Sequence, residues 1–481
     1  MASVTKRPLE ENGGSASVVE IAQQQAPKKP RRLRNQSPEQ RITAEYRMQI
    51  EKCARTTDAI GALALYKKMK AESVVLSAYI FRVIINICVK AEQASELMAD
   101  VFQVYEDMRA DAASSNGIDE TIYSALVKLC SKAGDFDRCH ALIAELEAKN
   151  VLPKLRTFAP LLHAYSEAGD LEKCLWAQSK LVAHDVEITE PEYLSLLKVC
   201  TTKGDAMQFY AILEQYTDAV LQPERSAWGV LREWFESEAA QEEGKKWTCS
   251  VGSVDDKGVC SVTGDQLQSI ELPPALETKL LEKIESLVTT DERRTAQWEA
   301  FKTWLSEHGP FDVVIDAANV GYFNQNYDGG GFDYKQIETL LTHYEQQDKR
   351  VLIVLHKRRT MDEQVPAEHR AMVAQWAERR IMFNCLPGNN DDWYWLYAAV
   401  RLGGRTLAVT NDEMRDHHFQ MIHDRAFARW KERHQTHYEV GARLRLHEPT
   451  PFSVRPQRIG GNWHFPCTDS SEWLCVALET R

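Results

Sequence analysis

Phe311-Asp-Val-Val-Ile-Asp316-Ala-Ala-Asn-Val-Gly321 is the stretch on which the fold turns. A short apolar run ending in an aspartate, followed by small residues, reads as a buried strand that gives way to a helix. Two further segments have a similar shape: Asn389-Asn-Asp391-Asp392-Trp393, beside an apolar run, and Leu407-Ala-Val-Thr-Asn-Asp412, which leads into Glu-Met-Arg-Asp416-His417. In an open parallel sheet, ligands gather at the carboxyl ends of the strands, so these carboxylates can converge at one edge. Packed carboxylates repel, and hard oxygen donors suit magnesium or manganese. A single aspartate at a strand-to-helix junction is adequately explained as a helix cap. Three junctions, one with a doubled aspartate, favour a metal site.

The surrounding residues 308–436 alternate strand and helix. Strands are expected to end at Asp316, over Arg350–Leu355, over Ile381–Leu386 and at Thr410, with helices near 334–344, near 368–378, from Asp392 and after Asp412. This alternation implies a parallel sheet covered by helices. Upstream, 276–307 carries helical periodicity with Trp298 and Trp304.

Between 42 and 236 the chain repeats. Tyr46, Phe81, Tyr123, Phe158, Tyr193 and Trp228 are spaced 35, 42, 35, 35 and 35 residues apart, and Ala112–Gly117 accounts for the longer interval. Gly134, Gly169 and Gly204 keep the same period, each followed by an aspartate. Two amphipathic stretches around a Gly-Asp break form a helix-turn-helix unit that must stack to bury its apolar faces, giving an α-solenoid. Cys53, Cys88, Cys130 and Cys200 fall in register and read as packing residues.

The 35-residue period and the openings Tyr-Ser-Ala-Leu-Val and Thr-Phe-Ala-Pro-Leu-Leu resemble the pentatricopeptide repeat, with the 34-residue tetratricopeptide repeat as the alternative. The resemblance implies single-stranded RNA binding, with one base read per repeat by the residue after the aromatic. Those positions hold Arg47, Arg82, Ser124, Ala159, Leu194 and Gly229, too few polar groups for a long sequence-specific readout. Recognition of a shape or of a few exposed bases is expected.

A β-hairpin is expected around Asp256-Lys-Gly258, and short strands are expected near Trp463-His464 and Trp473-Leu-Cys475. If these segments pair, Cys260, His464 and Cys475 could bind one zinc ion as a staple. Thr263 stands where a second knuckle thiolate would, and Cys249 and Cys467 are the alternative fourth ligands.

With 58 basic and 70 acidic residues the net charge is −12, which excludes a uniformly basic coat but not local patches. His356-Lys357-Arg358-Arg359 and the run Arg425, Arg429, Lys431, Arg433, His434 are the patches expected to touch phosphates. Eleven scattered cysteines favour a reducing compartment, and no apolar run is long enough to span a membrane. Residues 1–41 are expected to be a disordered tail whose Lys28-Lys-Pro-Arg-Arg-Leu-Arg34 run reads as a nuclear import signal; an organellar address fits its acidic residues less well.

Asp316-Ala-Ala-Asn-Val-Gly, Asn390-Asp-Asp-Trp-Tyr-Trp-Leu-Tyr, Thr410-Asn-Asp-Glu-Met-Arg-Asp-His417 and Arg429-Trp-Lys-Glu-Arg-His434, behind such repeats, resemble the protein-only RNase P family over residues 42–481. The resemblance implies three parts: a repeat arm at 42–236, a central zinc-type β-rich module from 237–275 plus 437–481, and an α/β NYN metallonuclease at 276–436. It implies removal of the 5′ leader from precursor tRNA without an RNA subunit. By motif, Asp316, Asp391, Asp392 and Asp412 become the ligands of two magnesium ions, with Asp416 and His417 close by. Cys260, His464 and Cys475 become the zinc ligands, and the second knuckle cysteine is replaced by Thr263. Lacking a heptad or an obvious dimer segment, the chain is expected to be a monomer.

Overall fold

The computed structural model describes residues 37–241, 245–327, 330–386, 390–413, 425–441 and 443–480. The basic run at 28–34, together with Asp416 and His417, lies outside them. By compactness the chain divides after Thr157. The first unit consists of helix pairs: Pro38–Thr56 with Ala59–Ala71, Ala78–Lys90 with Met98–Ala110, and Glu120–Lys132 with Phe136–Ala148. The first helix starts before residue 42 because Ser37 and Gln40 form a reciprocal capping box around Pro38. The second unit opens with the same pattern, Leu171–Ala183, Glu190–Lys203 and Ala206–Ala219 among its helices, and continues into a mixed α/β region.

The periodic residues explain the repeat. All six aromatics are buried, as are Cys88, Cys130 and Cys200. Gly134, Gly169 and Gly204 have φ of 73°, 69° and 67°, a left-handed conformation that stops one helix without the penalty a Cβ would bring. The next residue, Asp135, Asp170 or Asp205, then accepts a backbone N–H of the following helix and starts it. Three of the expected base-reading positions are engaged within the protein: Arg47 pairs with Glu51, Arg82 with Asp119, and the Ser124 hydroxyl meets Thr157.

The strands are β1 (Lys245–Ser253), β2 (Val313–Asp316), β3 (Val351–His356), β4 (Met382–Cys385), β5 (Leu407–Val409), β6 (Gln435–Glu439), β7 (Arg445–His447), β8 (Gln457–Ile459), β9 (Asn462–Phe465) and β10 (Glu472–Thr480). One sheet has the order β4-β3-β2-β5-β6-β7, parallel except for β7. Strand side chains alternate between faces. Val313 and Ile315 therefore join Ile337, Leu340, Leu341, Tyr344 and Trp376 on one face, whereas Val314 joins Trp298, Phe301, Tyr394 and Ala398 on the other. Burying each large apolar side chain contributes about 1.5–3 kcal/mol, which makes these runs strands rather than loops.

The helical stretch expected over 276–307 is two helices, Pro274–Val288 and Glu292–His308; the second is capped by Asp291, which accepts Arg294 N–H at 2.9 Å. The expected hairpin is present but short. Gly258 turns the chain at φ 87°, and the arms meet at the bridge Val254–Cys260, where Ser261 N–H donates to the Ser253 carbonyl at 2.9 Å and Asp255 N–H to the Val259 carbonyl at 3.1 Å. β1 itself pairs antiparallel along its whole length with β10, from Lys245 opposite Thr480 to Ser253 opposite Glu472, within a sheet of order β1-β10-β9-β8.

Candidate active site and metal centre

The strand order reverses between β2 and β5, because the chain proceeds from β2 through β3 to β4 and then crosses back to the other side of β2. That reversal leaves a crevice at the carboxyl edge of the sheet. Asp316 ends β2 and is only 2% exposed. It shares the face of Val314, under the helix Asp391–Leu402. Its carboxylate accepts the Asn319 N–H at 3.1 Å, so the cap reading is correct for this residue, but its other oxygen accepts the Thr410 hydroxyl at 2.8 Å. Thr410 Oγ1 in turn accepts the Asp412 N–H at 3.0 Å, and Gln435 Nε2 donates to the Asp412 carbonyl at 3.0 Å. Behind them, Asn319 Oδ1 accepts both the Asn411 N–H at 2.9 Å and the Tyr438 hydroxyl at 2.7 Å. The ends of β2, β5 and β6 are thus fixed by side-chain bonds.

Asp391 and Asp392 occupy the first turn of their helix, and the cap is Asn390, whose side chain accepts Asp392 N–H at 3.2 Å. Neither aspartate is needed as a cap. The helix N-terminus favours their negative charge. Trp395 Nε1 donates to Asp392 Oδ1 at 3.4 Å.

The carboxylates act on one another. Burial, then the Asp392 charge, raise Asp316 well above the usual carboxylate range, against the Asn319 and Thr410 hydrogen bonds. Burial, then Asp391, push Asp392 up to about 6, with Asp412 adding to the effect and Asn390 and Trp395 opposing it. Burial also raises Asp391, against His356 at the end of β3. A group of carboxylates that resists ionisation in the free protein is one whose charges are matched by a bound cation. All four are hard oxygen donors and fit magnesium or manganese.

Thr410, Asn319 and Tyr438 do not stand out in the sequence. A threonine, an asparagine and a tyrosine at strand or helix ends are common, and only their meeting across β2, β5 and β6 shows what they do.

Of the basic residues expected to meet phosphates, Lys357 and Arg358 are exposed in the 3-10 turn that follows β3 at the same sheet edge. Arg359 is half-buried, its guanidinium 5.0 Å above the Tyr322 ring and 5.2 Å above Phe332. The second patch is corrected. Arg429 is 3% exposed and donates to the Asp218 backbone and side chain. Arg433 donates to the Thr450 carbonyl at 3.0 Å, and Lys431 pairs with Glu413 at 2.9 Å. The helix Arg425–His434 turns Arg429 and Arg433, four residues apart, toward protein partners rather than solvent.

A separate group comprises Cys260, His464 and Cys475, all buried, with donor atoms within 4.8 Å of one another; it is the one such His/Cys/acid group among the described residues. The two sulfurs are 3.3 Å apart. His464 Nε2 faces Asp265 Oδ2 at 3.1 Å, while its Nδ1 is buried without a hydrogen-bond partner. An orphaned imidazole nitrogen beside two sulfurs, with a carboxylate on the other ring nitrogen, matches the usual support of a metal-bound histidine. Burial alone would raise the Cys260 thiol, but hydrogen bonds from the Thr263 side chain and the Thr263 and Val262 amides hold it below the usual thiol range. Cys249 is not part of this group. It lies opposite Val476, so it faces away from Cys475, whose partner is Ser250.

Residues 33–242 match the family model described as "Pentacotripeptide-repeat region of PRORP", and residues 254–476 match "Protein-only RNase P". The chain is 31% identical to proteinaceous RNase P 1, chloroplastic/mitochondrial, of Arabidopsis thaliana, covering 92% of this chain and 83% of that protein. It is 23% identical to the mitochondrial ribonuclease P catalytic subunit of Rattus norvegicus, over 82% of this chain and 68% of the relative. The crystal structure of nuclear proteinaceous RNase P 2 from Arabidopsis thaliana superimposes with a TM-score of 0.74 at 28% identity, covering 92% of this chain and 100% of that one. With a helical repeat region, an α/β sheet carrying four aspartates at its switch point and relatives that span its length, the chain belongs to the protein-only RNase P family.

Proposed function

We propose that the protein is a ribonuclease P that removes the 5′ leader of precursor tRNA by metal-dependent hydrolysis, leaving a 5′-phosphate on the tRNA and a 3′-hydroxyl on the leader. The observation that carries this reading is the convergence of Asp316, Asp391, Asp392 and Asp412 at the carboxyl edge of the sheet, where burial and mutual repulsion raise Asp316 and Asp392. Two magnesium ions held there would polarise the phosphate, activate a water and stabilise the leaving oxygen. The chain's own contribution is orientation. Thr410 fixes Asp316 and the Asp412 backbone, the helix N-terminus presents Asp391 and Asp392, and Lys357 and Arg358 lie at the same edge to meet backbone phosphates. Asp416 and His417 follow Asp412 in sequence and complete the proposed set.

Zinc at Cys260, His464 and Cys475 would staple the segment after β1 to β9 and β10, its fourth position being left to Cys467 or to a non-protein ligand. The basic run at 28–34 supports nuclear import, although the relatives include organellar proteins as well. The protein is proposed to act as a monomer without an RNA subunit.

The test is cleavage of 5′-labelled precursor tRNA by the purified protein alone, with magnesium and then with excess EDTA. Release of the leader at one position in magnesium only is expected. Folded, RNA-binding protein that leaves the precursor intact would overturn the proposal.

A further inference from the structure

β6 runs past the end of its neighbour: Val409, the last residue of β5, lies opposite Thr436, so His437, Tyr438 and Glu439 project beyond the carboxyl edge. There β7 folds back antiparallel, placing His437 opposite His447 and Glu439 opposite Arg445. Directly opposed residues share a face of a two-stranded ribbon. One face of this ribbon therefore presents His437, Glu439, Arg445 and His447, while Tyr438 and Leu446 on the other pack into the core beside Phe323.

The ribbon walls an open cleft of about 770 Å³, lined also by Phe323, Asn324, Asn411 and Arg443. Its lining holds two arginines and two histidines against the single carboxylate of Glu439, on a chain whose net charge is −12. Arg445 and His447 both lean toward Glu439, at 3.4 and 3.8 Å, and their side chains remain 74% and 62% exposed. The cleft adjoins the catalytic edge directly. Asn411, in its wall, precedes Asp412 and bonds Asn319 and Tyr438, and Asn319 N–H is held by Asp316.

We propose that this cleft holds the single-stranded 5′ leader next to the scissile bond, its arginines and histidines contacting leader phosphates. This inference rests on the proposed ribonuclease P activity and assigns that activity a leader subsite. On the tRNA side the scissile phosphate joins a duplex whose bases are paired and stacked, whereas the single-stranded leader can offer both its phosphates and its unpaired bases to a cationic cleft with an aromatic wall. Phe323 offers an apolar surface beside those phosphate contacts.

The test compares precursors bearing two- and ten-nucleotide leaders, and precursors with and without the single-stranded 3′ end, using the full-length protein. Mature tRNA serves as a competitive inhibitor. Wild type is expected to show a KM about three- to tenfold lower for the long leader, with a steeper salt dependence. In the Arg443→Ala/Arg445→Ala variant that advantage disappears and the log–log salt slope falls by about 1–2, while the inhibition constant of mature tRNA stays at the wild-type value. His437→Asn/His447→Asn provides a second variant with the same expected loss and little change of shape. Variants that retain the leader-length effect overturn the assignment. So does equal weakening of mature tRNA, dependence on the 3′ end instead of the leader, or a wild type indifferent to leader length. Wild type that releases no leader at all refutes the proposed activity itself, a result distinct from each of these.

Discussion

Thr410 donates its hydroxyl hydrogen to Asp316 across the β2–β5 pair at 2.8 Å, and the same oxygen accepts the backbone N–H of Asp412. One buried hydroxyl thus sets the spacing between a carboxylate at the end of β2 and one just after β5. Thr410→Val keeps the shape and removes both bonds. Because partners of this kind typically contribute 10–100-fold to metal affinity or activity, cleavage is expected to fall by about that factor. Raising magnesium should recover part of the loss. Activity within twofold of wild type at all magnesium concentrations would show that the hydroxyl only packs.

Asp392 contributes, with Asp316 and Asp391, to the pH behaviour of the metal-free protein. Its carboxyl is pushed up to about 6, first by burial and then by Asp391, against roughly 4 in the unfolded chain. A raised carboxyl contributes stability that is fully present below the unfolded value and is lost as pH rises through the folded one. In EDTA, melting is therefore expected to fall between about pH 4 and 6, by an amount equivalent to ~1–3 kcal/mol, and to level off above that. Magnesium, binding the ionised form, should cancel the fall, so the two melting curves diverge with rising pH. Parallel curves would contradict the coupling. Asp392→Ala should make the EDTA profile shallower, Asp316 and Asp391 remaining raised by burial, abolish cleavage and leave the affinity for precursor tRNA unchanged.

Zinc retention should depend on three side chains and respond to a fourth. Metal analysis of the purified protein is expected to find one zinc per chain, lost in Cys475→Ser together with thermal stability. Thr263 hydrogen-bonds the Cys260 sulfur, so a thiol in its place stands beside the metal position. Thr263→Cys should slow the release of zinc to a chromogenic chelator. Release as fast as wild type would mean that residue 263 does not reach the ion.

Arg429 tests the reassignment of the basic helix. Its side chain is buried against Asp218, which itself remains 71% exposed, so solvent screens much of the charge attraction and the bond to the Asp218 carbonyl carries more weight. Arg429→Met should lower folding stability by about 1–3 kcal/mol while leaving the salt slope of RNA binding unchanged. A shallower slope with unaltered melting would restore Arg429 to the RNA surface.

The sequence discloses those features whose cause is local. Aspartates at the ends of apolar runs, a 35-residue aromatic period and Gly-Asp breaks each have a short-range physical reason, and the structure places them at strand ends, in the core and at helix starts. What it conceals depends on distant partners. The Cys and His residues hinted that the segment at 256–260 meets those at 463–475, but the residues around Asp256-Lys-Gly258 did not show that β1 pairs with β10 along its whole length, more than 200 residues later. Periodicity ran through 276–307 without showing that Asp291 starts a new helix. The charges of 425–434 looked solvent-facing because the acceptors Asp218 and Thr450 lie elsewhere in the chain.

The antiparallel pairing of β1 with β10 brings the entry and exit of everything between them onto adjacent strands in one register. The nuclease sheet is in effect a cassette plugged in through a two-pin connector. Its replacement by another α/β catalytic body would have to spare β8 and β9, which complete this sheet, and would forgo the Arg429–Asp218 bond. A graft that keeps the four strands β1, β8, β9 and β10 should therefore retain the connector whatever chemistry is mounted on it.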